Sequence, residues 1–250
     1  MAEPRDLPGD PGLESASSNG ARGPFIGQAL PARAPRRWAR DAGLDQLLRE
    51  LHAGFGYQTW WPAQTPFEVI VGALLTQNTA WTNVELALAR LHALGPLTPG
   101  RLLALTTADL AEAVRPSGYY NAKARKLQCV SEWYLAAGGL EALRERPLGP
   151  LRSGLLEVWG VGPETADSIL CYAAGRRTAV VDTYTRRILG RHGLADPQAP
   201  YEQLRAWLEA RLVRSQFVYE EFHALFVRAG YRNCKPSVVC ESCPASTPGD

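Results

Sequence analysis

The sequence lacks three features that would place it in other classes of protein. It has no apolar run long enough to cross a membrane, so we expect no membrane-spanning segment. It has no alternating strand pattern longer than a few residues, which favours an all-α fold over a sheet. Its formal net charge is only +2, which gives no argument for nucleic-acid binding by itself. Motifs must therefore carry the information about function.

The first 37 residues also lack what a folded segment needs. Residues 1–37 contain six prolines and five glycines but few large apolar side chains. Such a composition cannot bury a core, so these residues are predicted to form a disordered N-terminal arm. The arm has no apolar stretch of signal-peptide length. Clustered free cysteines at the other end of the chain fit a reducing cytosol, so we expect a cytoplasmic protein.

Three threonines mark the beginnings of helices. Residues 65–68, T-P-F-E, form a capping box with proline at the first helical position and predict a helix through Leu75. Residues 98–99, T-P, predict a second start. Thr107 is predicted to cap a third helix over residues 108–114.

Residues 158–185 are the most informative part of the chain. Within them, W-G-V-G-P at 159–163 predicts a tight turn, because glycine tolerates positive φ and proline can open a helix. Apolar residues before and after this turn have helical spacing. The segment therefore predicts helix, turn, helix, and such a turn presents N–H groups that suit a phosphate.

Five motifs, in their order along the chain, resemble one family. G-V-G-P-E-T-A, followed about twenty residues later by V-D-T, resembles the helix-hairpin-helix DNA glycosylases of the endonuclease III branch. The similarity extends through T-P-F-E, L-L-T-Q-N-T at 74–79 and G-Y-Y-N-A-K-A at 118–124. It implies DNA contacts from the hairpin residues Gly160, Val161 and Gly162.

The resemblance implies an all-α fold of two helical domains with a DNA cleft between them. Residues 60–175 would form a six-helix barrel with the hairpin. Residues 38–59 together with 176–250 would form the second domain, which carries the C-terminal cysteines. The implied partner is double-stranded DNA containing damaged bases, bound by a monomer that is associated with the nucleoid when on DNA.

Lysine is scarce, and that scarcity bears on the chemistry. The chain has three lysines, Lys123, Lys126 and Lys235, among 27 basic residues, and along the sequence none lies in or beside the hairpin. Relatives that nick the strand use a hairpin lysine to form an imine, and the matching position here is Glu164. Arginine cannot replace it, because guanidinium stays protonated. The sequence therefore predicts a monofunctional glycosylase with weak or absent lyase activity. The alternative is that a lysine distant in sequence folds into the cleft and forms the imine.

Asp182, in the V-D-T motif, is the predicted catalytic residue. Breaking an N-glycosidic bond builds positive charge on the sugar, which a nearby carboxylate stabilises. The alternative is that Asp182 only caps a helix beginning near Thr183. Both roles are compatible with each other.

Aromatic and polar residues suggest how a base would be bound. Flat apolar walls suit a flipped base, and an indole face attracts an alkylated, positively charged one. The W-W-P and T-Q-N-T-A-W runs resemble the endonuclease III-like 3-methyladenine glycosylases, so the predicted base pocket consists of Trp60, Trp61 and Trp81. Core packing is the alternative for each tryptophan.

Insertion into the vacated base stack is predicted for Gln77 and Asn78, and a wedge in the opposite strand for Tyr119. These assignments follow from the resemblance. Filling the gap offsets the cost of unstacking. For the turn before the next helix, the alternative is that Asn121 caps a helix over 122–134.

The last predicted site is a cysteine cluster. Cys234, Cys240 and Cys243 resemble the iron–sulfur motif of endonuclease III relatives, although one spacing is a residue shorter and a fourth cysteine is missing. We expect a [4Fe–4S] cluster completed by Asp250 or the C-terminal carboxylate. A zinc site with His223 and a metal-free tail are the alternatives.

The sequence thus predicts a base-excision-repair glycosylase that flips and releases an alkylated purine. One alternative is a bifunctional glycosylase and lyase acting on oxidised pyrimidines. The other is a non-catalytic hairpin module that only binds DNA.

Overall fold

The computed structural model of the chain describes residues 34–237 and 242–245. Within these ranges the chain is all-α, as predicted, without a β-strand, and an isolated bridge pairs Ala39 with Leu212. The helices are α1 (Ala42–Phe55), α2 (Pro66–Leu75), α3 (Trp81–Ala93), α4 (Pro99–Ala104), α5 (Thr107–Ala113), α6 (Tyr120–Ala136), α7 (Gly139–Glu145), α8 (Leu148–Glu157), α9 (Pro163–Ser168), α10 (Thr183–Arg191), α11 (Tyr201–Arg211) and α12 (Gln216–Arg232). None of them combines the length and apolarity needed to cross a membrane.

The chain divides into two compact units. In the described ranges, the first unit consists of residues 63–165, and the second of residues 34–62 with 166–237 and 242–245. The chain passes from the first unit to the second between Thr165 and Ala166, inside α9. This boundary lies ten residues before the predicted limit at 175. The assignment of the first unit as a six-helix barrel stays a prediction.

In the first unit, α2 is buried along almost its whole length. It begins as the capping box predicts: Thr65 accepts a hydrogen bond from the Glu68 N–H at 3.1 Å, and Pro66 opens the helix. The reciprocal bond differs, because Glu68 accepts from the N–H of Gln64 at 3.2 Å rather than from that of Thr65. An all-round apolar helix of this kind must lie in a core.

Two predicted helix caps are wrong. The helix α5 is capped by Thr106, whose hydroxyl accepts from the Asp109 N–H at 3.1 Å, so Thr107 is its first residue and not its cap. Asn121 lies inside α6 and caps nothing, because that helix starts at Tyr120 after a left-handed Tyr119. At α5 two neighbouring threonines compete for one cap, which spacing alone does not resolve, whereas α6 begins without a side-chain cap bond.

In the second unit, α12 is the central helix, and α1 and α10 pack against it. The segment before α1 pairs with the end of α11: the Arg40 N–H donates to the Arg211 carbonyl at 2.6 Å, and the Val213 N–H to that of Trp38 at 2.9 Å. These bonds attach the segment at the start of this unit to its helices.

The predicted N-terminal arm lies mostly outside the described residues. Of that arm only residues 34–37 are described. There, the Arg37 guanidinium donates to the carbonyl of Ala39 at 2.7 Å and to that of Arg40 at 2.6 Å.

Candidate active site

The helix-hairpin-helix that the sequence predicts is present. The helix α8 ends at Glu157 and α9 begins at Pro163, with Gly160 between them at φ 83°. A Cβ on Gly160 would lie 2.5 Å from Cγ and Cε of Lys126, so the position requires glycine for space as well as for backbone conformation. The Val161 side chain is buried, which leaves the turn's backbone as the part suited to bind an anion.

No lysine lies in or beside the hairpin along the sequence, but one lies next to it in space. Lys126 of α6 packs against Gly160, and its Nζ donates to Oε1 of Gln77 at 2.5 Å. Nε2 of Gln77 in turn donates to the Gly160 carbonyl at 3.2 Å and to the Thr165 hydroxyl at 2.9 Å. The sequence could not show this, because α6 precedes the hairpin by two further helices.

Asp182 occupies the N-cap of α10, as the capping alternative predicts. Its Oδ1 accepts the N–H of Thr185 at 2.6 Å, and the residue is 8% exposed. Its Oδ2 faces Nε2 of His223 at 3.8 Å. The cap engages one carboxylate oxygen, so capping and catalysis do not compete for the same atom.

A buried network surrounds His223. The Tyr172 hydroxyl donates to the carbonyl of Glu220 at 3.0 Å and lies 2.7 Å from Nδ1 of His223. Burial lowers the pKa of His223, against a smaller opposite effect of Asp182, so the imidazole carries no charge at neutral pH.

Sequence reasoning missed this role of His223, which it considered only as a zinc ligand. In the structure His223 joins Tyr172 and faces Asp182. Among the described residues no group of three or more His, Cys, Asp or Glu side chains is placed to hold a metal ion, so His223 does not form a zinc site with Cys234 and Cys243. No local pattern links residues 172, 182 and 223.

A second buried carboxylate holds the segment that leads to the tryptophan pair. Glu221 accepts the N–H of Gln58 at 3.0 Å and that of Thr59 at 3.3 Å. Burial raises the pKa of Glu221, and also that of Glu220, to about 7. The backbone N–H groups oppose this rise at Glu221.

Two of the three predicted pocket tryptophans lie together. The rings of Trp60 and Trp61 are 5.0 Å apart between centroids, and Trp61 meets the edge of Tyr172 at 5.5 Å. Trp81 belongs to the first unit, where it begins α3, is 8% exposed and donates to Glu85 at 3.0 Å. Trp60 and Trp61 thus share an aromatic cluster with the residue that orients His223.

The predicted insertion residues differ in exposure. Asn78 and Tyr119 are both exposed and both left-handed, with φ of 54° and 46°, and Tyr119 is 73% exposed. Gln77 is instead directed inward, where it bonds to the hairpin. The two exposed residues have the geometry of protruding tips.

Half of the predicted metal ligands can be located. Cys234 and Cys243 are buried, whereas Cys240 and Asp250 lie outside the described residues. Nη1 of Arg191 donates to Sγ of Cys234 at 3.2 Å, and Arg187 donates to its carbonyl at 2.5 Å. A cation beside sulfur stabilises a thiolate, which is the form that binds metals.

An all-helical fold, a hairpin suited to phosphate and a buried carboxylate downstream of it together define a class, that of the helix-hairpin-helix DNA glycosylases. Comparison with known proteins agrees. Residues 71–213 match the HhH-GPD superfamily of base excision DNA repair proteins. The chain therefore belongs to that superfamily, and its class is that of DNA glycosylases.

Individual relatives agree with this assignment. A protein of Methanocaldococcus jannaschii, described as a candidate DNA repair glycosylase, is 40% identical over 193 residues, 76% of this chain and 88% of that protein. Endonuclease III of Sulfolobus acidocaldarius is 26% identical over 71% of this chain and 78% of its own. The 3-methyladenine DNA glycosylase of H. pylori, solved bound to 1,N6-ethenoadenine, is 28% identical with a TM-score of 0.65, covering 75% of this chain and 96% of that one.

Proposed function

We propose that the protein is a monofunctional glycosylase that hydrolyses the N-glycosidic bond of a damaged base in double-stranded DNA. The observation that carries the proposal is Asp182: a buried carboxylate with one oxygen fixed by the N-terminus of α10 and the other facing the neutral imidazole of His223. The hairpin backbone binds phosphate, and the protein acts on DNA in the nucleoid.

The reaction is a hydrolysis in which the carboxylate stabilises the sugar. The bond between C1′ and the base nitrogen breaks and its electron pair leaves with the base, so positive charge develops on the sugar. Asp182 stabilises that charge and accepts a proton from the water whose oxygen bonds to C1′. His223 carries no charge at neutral pH and so does not cancel the negative charge of Asp182.

An alkylated purine is the proposed substrate. Alkylation at a ring nitrogen makes the base cationic and a good leaving group, so one carboxylate suffices and no strong general acid is needed. The indole of Trp60, half-buried beside the buried Trp61, offers an electron-rich wall to such a base. The relative from H. pylori, a 3-methyladenine DNA glycosylase solved bound to 1,N6-ethenoadenine, supports this substrate class.

A bifunctional glycosylase and lyase is the second candidate. The observation that favours it is Lys126, whose side chain lies against the hairpin although Glu164 stands where relatives have the imine-forming lysine. Relatives named endonuclease III are consistent with this candidate. Against it, Nζ of Lys126 donates to Oε1 of Gln77, so this amine is already engaged in a hydrogen bond.

Strand cleavage separates the two candidates. End-labelled duplexes carrying either 3-methyladenine or an oxidised pyrimidine are incubated with the protein and resolved with and without hot alkali. We expect breaks only after alkali, and faster release of the alkylated base. Borohydride should trap no covalent complex, because a monofunctional enzyme forms no imine.

Breaks without alkali would contradict the monofunctional proposal. Lys126→Arg then identifies the amine, since arginine keeps the charge and cannot form an imine. Loss of nicking in this variant with base release retained would assign the lyase to Lys126.

We also propose that the C-terminal cysteines hold a [4Fe–4S] cluster through Cys234, Cys240, Cys243 and the carboxylate of Asp250. The described part fits such a group, because Cys234 and Cys243 are buried and Arg191 donates to the Cys234 sulfur. The cluster would stabilise the C-terminal segment. A Cβ on Gly54 of α1 would lie 2.3 Å from Pro244, so this segment packs closely against α1.

Iron content and stability test the cluster. Protein purified without oxygen should contain about four iron atoms per chain and show visible cluster absorbance. Cys234→Ser should lose both and lower the melting temperature, whereas Cys129→Ser, a change in α6 outside the cluster, should keep both. The proposal would be contradicted if wild-type protein contained no iron and melted at the same temperature as Cys234→Ser.

A further inference from the structure

One buried ammonium group connects two separate loops of the first unit. Lys123, in the first turn of α6, is 1% exposed. Its Nζ donates to the carbonyl of Leu75 at 2.8 Å and to that of Ser117 at 2.6 Å. Leu75 is the last residue of α2, and Ser117 ends the short 3₁₀ turn at Arg115–Ser117.

The two connected loops carry the protruding tips. Asn78 lies three residues beyond Leu75, and Tyr119 lies two residues beyond Ser117. Both have left-handed backbones, which are uncommon for residues other than glycine and persist only where the surroundings hold them. The Lys123 N–H also donates to the Tyr119 carbonyl at 3.0 Å, so backbone and side chain of one residue hold this turn.

A lysine is a costly way to fill this space. Burial, together with the nearby charge of Lys126, lowers the pKa of Lys123 to about 8. A methionine would occupy a similar volume without burying a charge, but it would leave two carbonyls without their donor. The ammonium therefore does what an apolar side chain cannot: it fixes the distance between the two carbonyls.

We infer that Lys123 is a positioning residue that sets the separation of Asn78 and Tyr119, so that both enter the duplex together. Asn78 would fill the gap left by the flipped base, and Tyr119 would wedge the opposite strand. This inference rests on the proposed glycosylase function. It assigns Lys123 a role in holding the base out of the stack and none in breaking the bond.

The test compares two substrates in single-turnover reactions of Lys123→Met. In one duplex the damaged base is opposite a normal base, and in the other it is opposite an abasic site, from which flipping costs less. We expect base release from the paired duplex to slow by about tenfold or more, because one inserted side chain no longer helps to hold the base out of the stack. Release from the duplex with the abasic site should stay within about threefold of wild type.

Leu127→Ala is the matched control. It removes a fully buried side chain from the same helix without touching either carbonyl, so any loss of active protein should affect both duplexes equally. Thermal unfolding of each variant verifies that it is folded. Should Lys123→Met not fold, Lys123→Gln, whose amide can still donate to one carbonyl, is measured on the same two duplexes.

Three outcomes are distinguishable. Selective slowing on the paired duplex supports the positioning role. Equal slowing on both duplexes, or no slowing on either, in a folded variant overturns it. If wild-type protein releases no base from either duplex, the proposed glycosylase function has failed instead.

Discussion

Asp182→Asn should reduce base release by on the order of a thousandfold while leaving DNA binding and the melting temperature nearly unchanged. The reason is that the observed cap and the proposed catalytic role of Asp182 depend on different properties. Asparagine is as good an N-cap as aspartate, so its side-chain oxygen can still accept the Thr185 N–H and hold the start of α10. Only the negative charge is lost, and with it the stabilisation of the sugar cation.

Two further variants separate cap from charge. Asp182→Ser keeps a capping oxygen without charge and should be as inactive as Asp182→Asn. Asp182→Ala should add a loss of about 1 kcal/mol in unfolding free energy, because the cap is gone. Single-turnover release and urea unfolding measure the two effects. If Asp182→Asn cleaves at the wild-type rate, Asp182 is only a cap, and a binding module becomes the better description.

Local features of the fold were predictable because their causes are local. Thr65 and Pro66 determine the start of α2 through neighbouring backbone groups, and the glycines of the hairpin determine its turn. The cap at Asp182 follows from the same logic, since its partner is three residues away. A bond between near neighbours can be read from the order of residues.

The contacts that give the candidate site its chemistry are not local. His223 reaches Asp182 and Tyr172 across 41 and 51 positions of the chain, through the packing of α12. Lys126 meets the hairpin in the same way, through the packing of α6. A lysine that is distant in sequence can still be adjacent in space. Glu164 shows that the usual lysine position is occupied by another residue, but only the structure shows which lysine lies beside the hairpin.

Packing of α12 against α10 is therefore the feature on which the Asp182 site depends, and Gly230→Ala tests it. A Cβ on Gly230 would lie 2.2 Å from Cδ1 of Tyr184 and 2.6 Å from its Cβ. Tyr184 is two residues beyond Asp182 in α10. Rotating the tyrosine ring cannot relieve a clash with its own Cβ, so the helices must separate. We expect a loss of about 1–3 kcal/mol in unfolding free energy, which for a chain of this size lowers the melting temperature by several degrees.

Gly149→Ala is the control, because this helical glycine in α8 has no atom within 4 Å of an added Cβ. Alanine there should be neutral or stabilising by up to about 1 kcal/mol. Adding Tyr184→Ala to Gly230→Ala should restore only part of the stability, since the Cβ of residue 184 stays in place. If Gly230→Ala melts at the wild-type temperature, α10 and α12 separate at little cost in free energy. In that case the 3.8 Å approach of His223 to Asp182 would not be fixed by their packing, and His223→Ala would be expected to leave base release unchanged.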